Sequence, residues 1–157
     1  MMANSIVSDA LIEIEPLRVD ETIEAAARKV LAAGVPALPV VDEDQAFAGI
    51  FGEREFMAAA FPGYLRELGS ARMVSRSLDK AIELRQACRD EPIGKYLTPD
   101  HIVVDADFSD TQLAEIFLHH DVLIVPILNR RRVRAVVTRG DFFRALVERL
   151  LGGSGGP

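Results

Sequence analysis

Short apolar runs alternate with turn residues and helical patterns along this chain, and the clearest example lies near its C-terminus. Leu123 to Leu128 is an apolar run too short for a helix, and Val133 to Val137 is β-branched and alternates around Arg134. The polar residues Asn129 to Arg132 between these runs predict a hairpin turn. Beyond Thr138 the apolar residues recur at helical spacing, so we expect a strand to end and a helix to begin there.

The same order of strand, turn, strand and helix occurs earlier in the chain, over residues 38–61. Pro39 and Pro126 lie 87 residues apart, and Glu55 and Asp141 lie 86 residues apart. The difference of one residue falls in the hairpin turn, where changes of length are most easily tolerated. Two copies of this size indicate a duplicated supersecondary unit rather than a solenoid.

The first copy begins with short strands and a helix. One possible strand covers Leu11 to Ile14, and a second covers Leu17 to Val19. A helix from Glu21 to Ala33 follows, with Asp20 as its expected N-cap and Gly34 just past its end. The residues that we expect on its buried face are Ile23, Ala27, Val30 and Leu31.

The second copy begins in a similar way. Ile93 to Leu97 reads as a short helical turn that leads to a strand from Ile102 to Val104. Either Asp107 or Ser109 caps the next helix, which runs from Thr111 to His120. The inward residues of this helix are predicted to be Leu113, Ile116 and Phe117.

These patterns divide the chain into four parts. Repeat 1 covers residues 5–61, a connector with one or two helices covers 62–92, repeat 2 covers 93–151, and a flexible tail covers 152–157. In the last helix Phe142 and Phe143 are adjacent, so both cannot face inward. We expect one of them to meet a partner.

Composition narrows the class of protein. The chain has 157 residues, of which 49% are hydrophobic, and this is enough for two small units that share a core. It has no run of about 18 uncharged apolar residues and its start lacks a signal-peptide pattern, so we expect a soluble, cytoplasmic protein without a membrane partner. A single cysteine and three histidines fall short of a zinc pattern, so no metal is expected.

Charge is distributed unevenly. The formal net charge of −6 argues against a general nucleic-acid-binding protein. Between Arg130 and Arg149, however, seven arginines stand against only Asp141 and Glu148. We therefore expect an anion to be attracted to the strand-to-helix turn in repeat 2.

The duplicated segments LPVVDEDQAFAGIFGEREF and IVPILNRRRVRAVVTRGDF, with their shared order of elements, resemble a tandem pair of cystathionine-beta-synthase (CBS) domains, also called a Bateman module. The resemblance covers Leu11 to Leu151 apart from the middle helices. It implies an α/β (α+β) fold with two β-α-β-β-α repeats and extra helices between them. It further implies a homodimer, formed through the terminal helices of the repeats, in which four repeats make a flat disc.

The resemblance also implies a ligand, namely an adenosine-containing molecule such as AMP, ADP, ATP or S-adenosylmethionine, bound between the two repeats. Thr138 and Asp141 match the family motif in which the hydroxyl contacts phosphate and the carboxylate contacts ribose. By position, the residues that would line the adenine pocket are Ile102, Val103, Ile124, Val125 and Pro126.

Elementary chemistry agrees with this motif in repeat 2. A carboxylate accepts hydrogen bonds from both ribose hydroxyls, and the amides at a helix N-terminus favour an anion. Charge-assisted contacts to phosphate are predicted from Arg139, Arg132 and Arg134.

Repeat 1 departs from the motif. Gly52 has no hydroxyl, and Glu55 reaches one methylene further than an aspartate. We therefore expect one good site, in repeat 2, and a weaker second position at Gly52 and Glu55.

Alternative interpretations accompany these residues. Thr138 and Asp141 also form the pattern of a helix capping box, and the two roles are compatible. The arginines of the hairpin turn also fit an ordinary solvated turn, and His119-His120 fits a helix end.

The sequence favours a regulatory or sensory module, without catalysis or a catalytic cofactor, that transmits ligand binding to an effector protein not identified by the sequence. One alternative is a structural dimerisation module whose ligand site has decayed. The other is an enzyme, but no nucleophile, base and orienting group stand together in the sequence.

Overall fold

A computed structural model describes residues 6–61 and 78–152 of the chain. Repeat 1 follows the predicted order of strand, helix, two strands and helix. Its elements are β1 (Leu17–Arg18), α1 (Ile23–Ala33), β2 (Ala37–Val41), β3 (Phe47–Gly52) and α2 (Glu53–Ala60).

Repeat 2 has the same order. Its elements are β4 (Val104–Asp105), α4 (Asp110–His119), β5 (Ile124–Asn129), β6 (Arg132–Thr138) and α5 (Arg139–Val147), after which a π-helical turn covers Glu148–Gly152. Between α2 and β4, the structure has α3 (Leu78–Leu84) and two short 3-10 helices, Gln86–Asp90 and Ile93–Lys95. The rest of the predicted connector, residues 62–77, and the tail from residue 153 lie outside the described residues.

Each repeat contains one three-stranded sheet, with strand order β1-β2-β3 in repeat 1 and β4-β5-β6 in repeat 2. The first two strands of each sheet are parallel, and β5 pairs with β6 in the antiparallel sense. A parallel pair needs a crossover, which α1 and α4 provide. The predicted α+β fold of two β-α-β-β-α repeats is confirmed.

The hairpin between β5 and β6 fixes which residues lie at each end of this sheet. Thr138 pairs with Ile124 at one end, and Arg132 pairs with Asn129 at the other, next to the turn. Arg130 and Arg131 have positive φ angles of 54° and 71°, as a two-residue turn with the right twist requires.

The start of α1 differs from the sequence prediction. Thr22, not Asp20, is the N-cap, and its Oγ1 accepts a hydrogen bond from the amide of Ala25 at 3.1 Å. The helix ends at Gly34 in the left-handed conformation, as predicted. Leu31 is 80% exposed, so its predicted place on the buried face is wrong, and Ala26 is buried instead.

The core of repeat 2 lies between its sheet and helices α4 and α5. Leu113 is fully buried, Ser109 rather than Asp107 caps α4, and the ring centroids of Phe117 and Phe142 lie 5.4 Å apart. Phe142 is 3% exposed whereas Phe143 is 65% exposed, so only one of the two adjacent rings faces inward.

The chain divides into two compact units that do not follow the repeats alone. Residues 6–15 belong with residues 45–47 and 102–152. Val7 and Ala10 are part of the core of repeat 2, and the Asp110 carboxylate accepts the amides of Ile6 at 3.0 Å and Val7 at 3.3 Å. The predicted strand from Leu11 to Ile14 is reduced to a single pairing of Ile12 with Val136.

The second unit consists of residues 16–44, 48–61 and 78–101. Residues before β4 are held on repeat 1 by backbone hydrogen bonds, in which Ile93 donates to the Glu21 carbonyl at 2.8 Å and Gly94 donates to the Val19 carbonyl at 3.0 Å. Arg85 adds two side-chain hydrogen bonds to the Ala59 carbonyl at the end of α2. The described part of the connector is therefore integral to this unit.

None of the helices in residues 6–61 and 78–152 has both the length and the apolar character that crossing a membrane requires.

Candidate functional site

The end of β6 and the start of α5 bring Thr138 and Asp141 together. Thr138 is extended, with φ −92° and ψ 153°, and forms the N-cap of α5. Its Oγ1 accepts the amide of Asp141 at 3.0 Å and donates to Asp141 Oδ2 at 2.8 Å. The hydroxyl therefore caps the helix and orients the carboxylate at the same time.

The second oxygen of this carboxylate faces an exposed cation. Asp141 Oδ1 accepts a hydrogen bond from Arg144 Nη1 at 2.9 Å. The side chain of Asp141 is 33% exposed and that of Arg144 is 69% exposed. Since an exposed ion pair of this kind contributes little free energy, a ligand hydroxyl can replace Arg144 at small cost.

The predicted adenine-pocket residues lie at the same end of the sheet as Thr138. Ile124 is directly opposite Thr138, and Ile102 and Val103 immediately precede β4, which runs parallel to β5. Ile124, Val125 and Pro126 are buried, whereas Ile102 and Val103 are partly exposed. The residues that the sequence predicts for the adenine pocket therefore lie together at one end of the strands.

Val125 differs from its neighbours in the direction of its side chain. Successive residues of a strand point to opposite faces of the sheet. The side chain of Val125 lies in the core of repeat 2 together with Leu113 and Phe142. Only its backbone is left for contact with a ligand on the face that Ile124 and Thr138 share.

The predicted arginines are separated from one another. Arg139 begins α5, its side chain is 43% exposed, and its guanidinium lies 4.0 Å from the carboxylate of Asp121. Arg132 and Arg134 are exposed near the hairpin turn. Arg132 is six residues before Thr138 on an extended strand, a distance of about 20 Å. Of the three, only Arg139 lies beside the Thr138–Asp141 pair.

The equivalent position in repeat 1 has a different arrangement. Glu55 is only 5% exposed, and its Oε1 accepts the amide of Gly52 at 2.9 Å. Its Oε2 accepts the hydroxyl of Thr98 at 2.6 Å. Both carboxylate oxygens of Glu55 are therefore bonded inside the unit.

Gly52 has no room for a side chain. A Cβ atom built on it would lie 2.2 Å from the carbonyl oxygen of Pro36 and 2.4 Å from the Cα of Ala37. Its φ of −163° is ordinary extended backbone, so the requirement for glycine comes from this close approach. The strand end of repeat 1 cannot hold a hydroxyl where Thr138 holds one in repeat 2.

An apolar groove lies elsewhere in the same unit as repeat 1 and contains none of the predicted site residues. It has a volume of about 470 Å³ and is bounded by α1, α2, α3 and the following 3-10 helix. Glu24, at its rim, is bonded to both Arg28 and Arg89. These two hydrogen bonds, from Arg28 first and then Arg89, lower the pKa of the Glu24 carboxyl.

The sequence interpretation missed Thr98 and Arg144 as partners of the two acids. Arg144 was visible in principle, since it lies three residues after Asp141 on one helix. Thr98 lies 43 residues from Glu55, and no local pattern connects them. In residues 6–61 and 78–152, no group of three or more His, Cys, Asp or Glu side chains could hold a metal ion.

The model of the family described as CBS domain matches residues 7–61 and 93–148. The chain belongs to the CBS domain family. The two matched regions correspond to the two repeats, so the chain is a tandem CBS pair of the Bateman type, as the sequence resemblance implied.

Solved structures of CBS proteins share this fold. CBSX2 from Arabidopsis thaliana has 15% sequence identity and a TM-score of 0.69, with 93% of this chain and 96% of that chain covered. A structure of CBSX2 in complex with AMP has 17% identity and a TM-score of 0.66, and covers 94% of this chain and 99% of that one.

A third similar structure is MJ1225 from Methanocaldococcus jannaschii, described as a proposed archaeal homologue of g-AMPK. It has 21% identity and a TM-score of 0.67, with 87% of this chain and 47% of that chain covered. At these identities the similarity establishes a common fold for the CBS pair.

Proposed function

We propose that this CBS pair is a regulatory, non-catalytic module that binds an adenosine-containing ligand at the strand-to-helix turn of repeat 2. The observation that carries the proposal is the Thr138–Asp141 pair at the start of α5, with one carboxylate oxygen bonded to an exposed arginine. CBSX2 in complex with AMP and the proposed g-AMPK homologue support a nucleotide as the ligand.

The chemistry assigns a role to each group. The Asp141 carboxylate accepts hydrogen bonds from the ribose hydroxyls after Arg144 is displaced. The Thr138 hydroxyl rotates from Asp141 to a phosphate oxygen while it continues to accept the amide of Asp141. The positive end of the α5 dipole and the Arg139 guanidinium add attraction for the phosphate.

The local charge favours a phosphorylated ligand over S-adenosylmethionine. Arg139 and Arg144 lie on α5 beside Asp141, so the charge there repels the cationic sulfonium and attracts AMP, ADP or ATP. Ile102, Val103, Ile124 and Pro126 provide an apolar edge for the adenine ring, with backbone contacts from Val125.

Ligand binding orders this edge of repeat 2 and shifts the population of module conformations, which an effector protein in the cytoplasm recognises. This shift requires that the ligand bind one conformation more tightly than the others.

Calorimetric titration of the full chain with AMP, ADP, ATP and S-adenosylmethionine tests this function. We expect saturable binding of at least one phosphorylated nucleotide and weaker or no binding of S-adenosylmethionine. At a ligand concentration one hundred times the Kd, the free energy of unfolding rises by about 2.7 kcal/mol, which a thermal melt detects.

The alternative function is a structural dimerisation module without a ligand. It is favoured by the fact that both oxygens of Asp141 already have partners within the chain. If none of the four molecules changes the melting temperature or gives heat on titration, this alternative replaces the regulatory function.

A homodimer through the terminal helices accompanies either function. On α5 and the turn after it, apolar side chains remain exposed, with Phe143 65% exposed and Leu150 80% exposed. Sedimentation analysis should give a dimer for the native chain and a monomer for Phe143→Glu. Gln112→Glu on the exposed start of α4 adds the same charge and should remain dimeric.

A further inference from the structure

Glu55 is buried and both its oxygens are hydrogen-bonded within the unit. These properties are typical of a carboxylate that stabilises the fold rather than one that binds a ligand. Glu55 is 5% exposed, and its two oxygens accept the Gly52 amide and the Thr98 hydroxyl. A buried carboxylate is costly unless such hydrogen bonds compensate for the lost hydration. Thr98, in the segment that precedes β4, therefore supplies one of the two hydrogen bonds that stabilise the buried Glu55 side chain.

The backbone around Thr98 is also held closely. Thr98 and Ile50 exchange two backbone hydrogen bonds, both 3.1 Å long. Gly49, with φ of 150°, lies so near that a Cβ atom on it would be 2.6 Å from the Thr98 carbonyl oxygen. Together with the hydrogen bond to Glu55, these bonds hold Thr98 against the edge strand β3.

The equivalent place in the first unit has a different composition. Ile12 and Val136 exchange two backbone hydrogen bonds of 2.9 Å. Ile12 lies 86 residues before Thr98, and Val136 lies 86 residues after Ile50. Ile12 has no hydroxyl, so Asp141 receives no hydrogen bond of the kind that Thr98 gives to Glu55.

Three positions thus differ together between the two units. The first unit combines Thr138 and Asp141 with Ile12, whereas the second unit combines Gly52 and Glu55 with Thr98. The first set leaves a carboxylate 33% exposed, and the second buries it. Glu55 joins the other two members of the second set, since its oxygens accept the Gly52 amide and the Thr98 hydroxyl.

We propose that Glu55 and Thr98 are an internal positioning pair, which fastens the segment before β4 to the edge of the repeat 1 sheet. In this role the Glu55 carboxylate binds a residue of its own unit. The strand-to-helix turn of repeat 1 therefore does not bind a second nucleotide.

The test uses Thr98→Val, which removes the hydroxyl and keeps the branched shape, in the full chain. Hydrogen exchange should accelerate at least tenfold at the amides of residues 98 and 50. The amides of Ile12 and Val136, which occupy the same positions in the other unit, are the internal control and should be unchanged. Thr98→Ser keeps the hydroxyl and should restore slow exchange.

A double-mutant cycle with Glu55→Gln and Thr98→Val then measures whether the two residues interact directly. We expect the double variant to be less destabilised than the sum of the single variants, since either change alone removes the charge-assisted bond from the Thr98 hydroxyl to the Glu55 carboxylate. Additive losses, or equal acceleration at Ile12 and Val136, would overturn the proposal. Titration of the native chain with AMP should give no binding equivalent at repeat 1, and an equivalent that Glu55→Gln abolishes would overturn the closed position there.

Discussion

The hydroxyl of Thr138 donates to Asp141 Oδ2 at 2.8 Å while it accepts the amide of Asp141 at 3.0 Å. One side chain therefore ends a strand, caps a helix and orients the acid of the proposed site. The expected capping pattern and the expected ligand motif use the same two residues, so experiments must separate stability from binding.

Asp141→Asn should weaken nucleotide binding at least tenfold, because the amide presents one acceptor oxygen where the carboxylate presents two. Calorimetry measures the loss. Glu148→Gln, which removes the same charge from an exposed position beyond α5, is the matched control and should retain the native affinity. Equal losses from both variants would point to the general charge of the segment instead of a contact by Asp141.

Thr138→Val should lower both stability and affinity, whereas Thr138→Ser should preserve both. Loss of an N-cap hydroxyl costs about 1 kcal/mol of unfolding free energy. Denaturant unfolding measures the change in unfolding free energy. Titration with nucleotide, at a temperature where both proteins are fully folded, measures the change in affinity. A Thr138→Val protein with unchanged affinity would restrict the hydroxyl to helix capping.

Gly52→Ala should destabilise the chain by about 2–3 kcal/mol, because the new methyl group would meet the backbone of Pro36 and Ala37. Gly140→Ala is the matched control, since a Cβ atom there meets nothing within 4 Å. In a helix this second change should stabilise by about 0.5–1 kcal/mol. Denaturant unfolding of both variants checks the contrast, and equal effects would refute the close approach at Gly52.

Glu24→Gln should reduce stability at neutral pH and have a progressively smaller effect in acid. Hydrogen bonds from Arg28 and Arg89 lower the pKa of Glu24, so its contribution is present above the ordinary glutamate pKa. It is lost as the pH falls through the lowered folded-state pKa. Unfolding followed from neutral to acid pH measures the difference between native and variant proteins. Glu115→Gln, which removes the same charge from an exposed position on α4, is the matched control and should leave the stability at neutral pH unchanged.

Local patterns in the sequence predicted most elements of both repeats. Alternation around Arg134 and the apolar run before it predicted the hairpin of β5 and β6, and Gly34 marked the end of α1. Only the structure could decide between Asp107 and Ser109 as the N-cap of α4, because both have side chains that can cap a helix. Asp20 was a wrong choice for α1, since Thr22 also caps and lies closer to the first helical residue.

The sequence alone determined the duplication, the order of strands and helices, and the difference between Gly52/Glu55 and Thr138/Asp141, because these depend on neighbours along the chain. Only the tertiary structure decided that Glu55 contacts Thr98 and which arginine lies beside Thr138. Glu55 meets Thr98 43 residues away, and Arg132 lies at the far end of the strand from Thr138. Such contacts depend on strand register and on the close approach of backbones, which are set by the packing of the whole unit and not by any short stretch of residues.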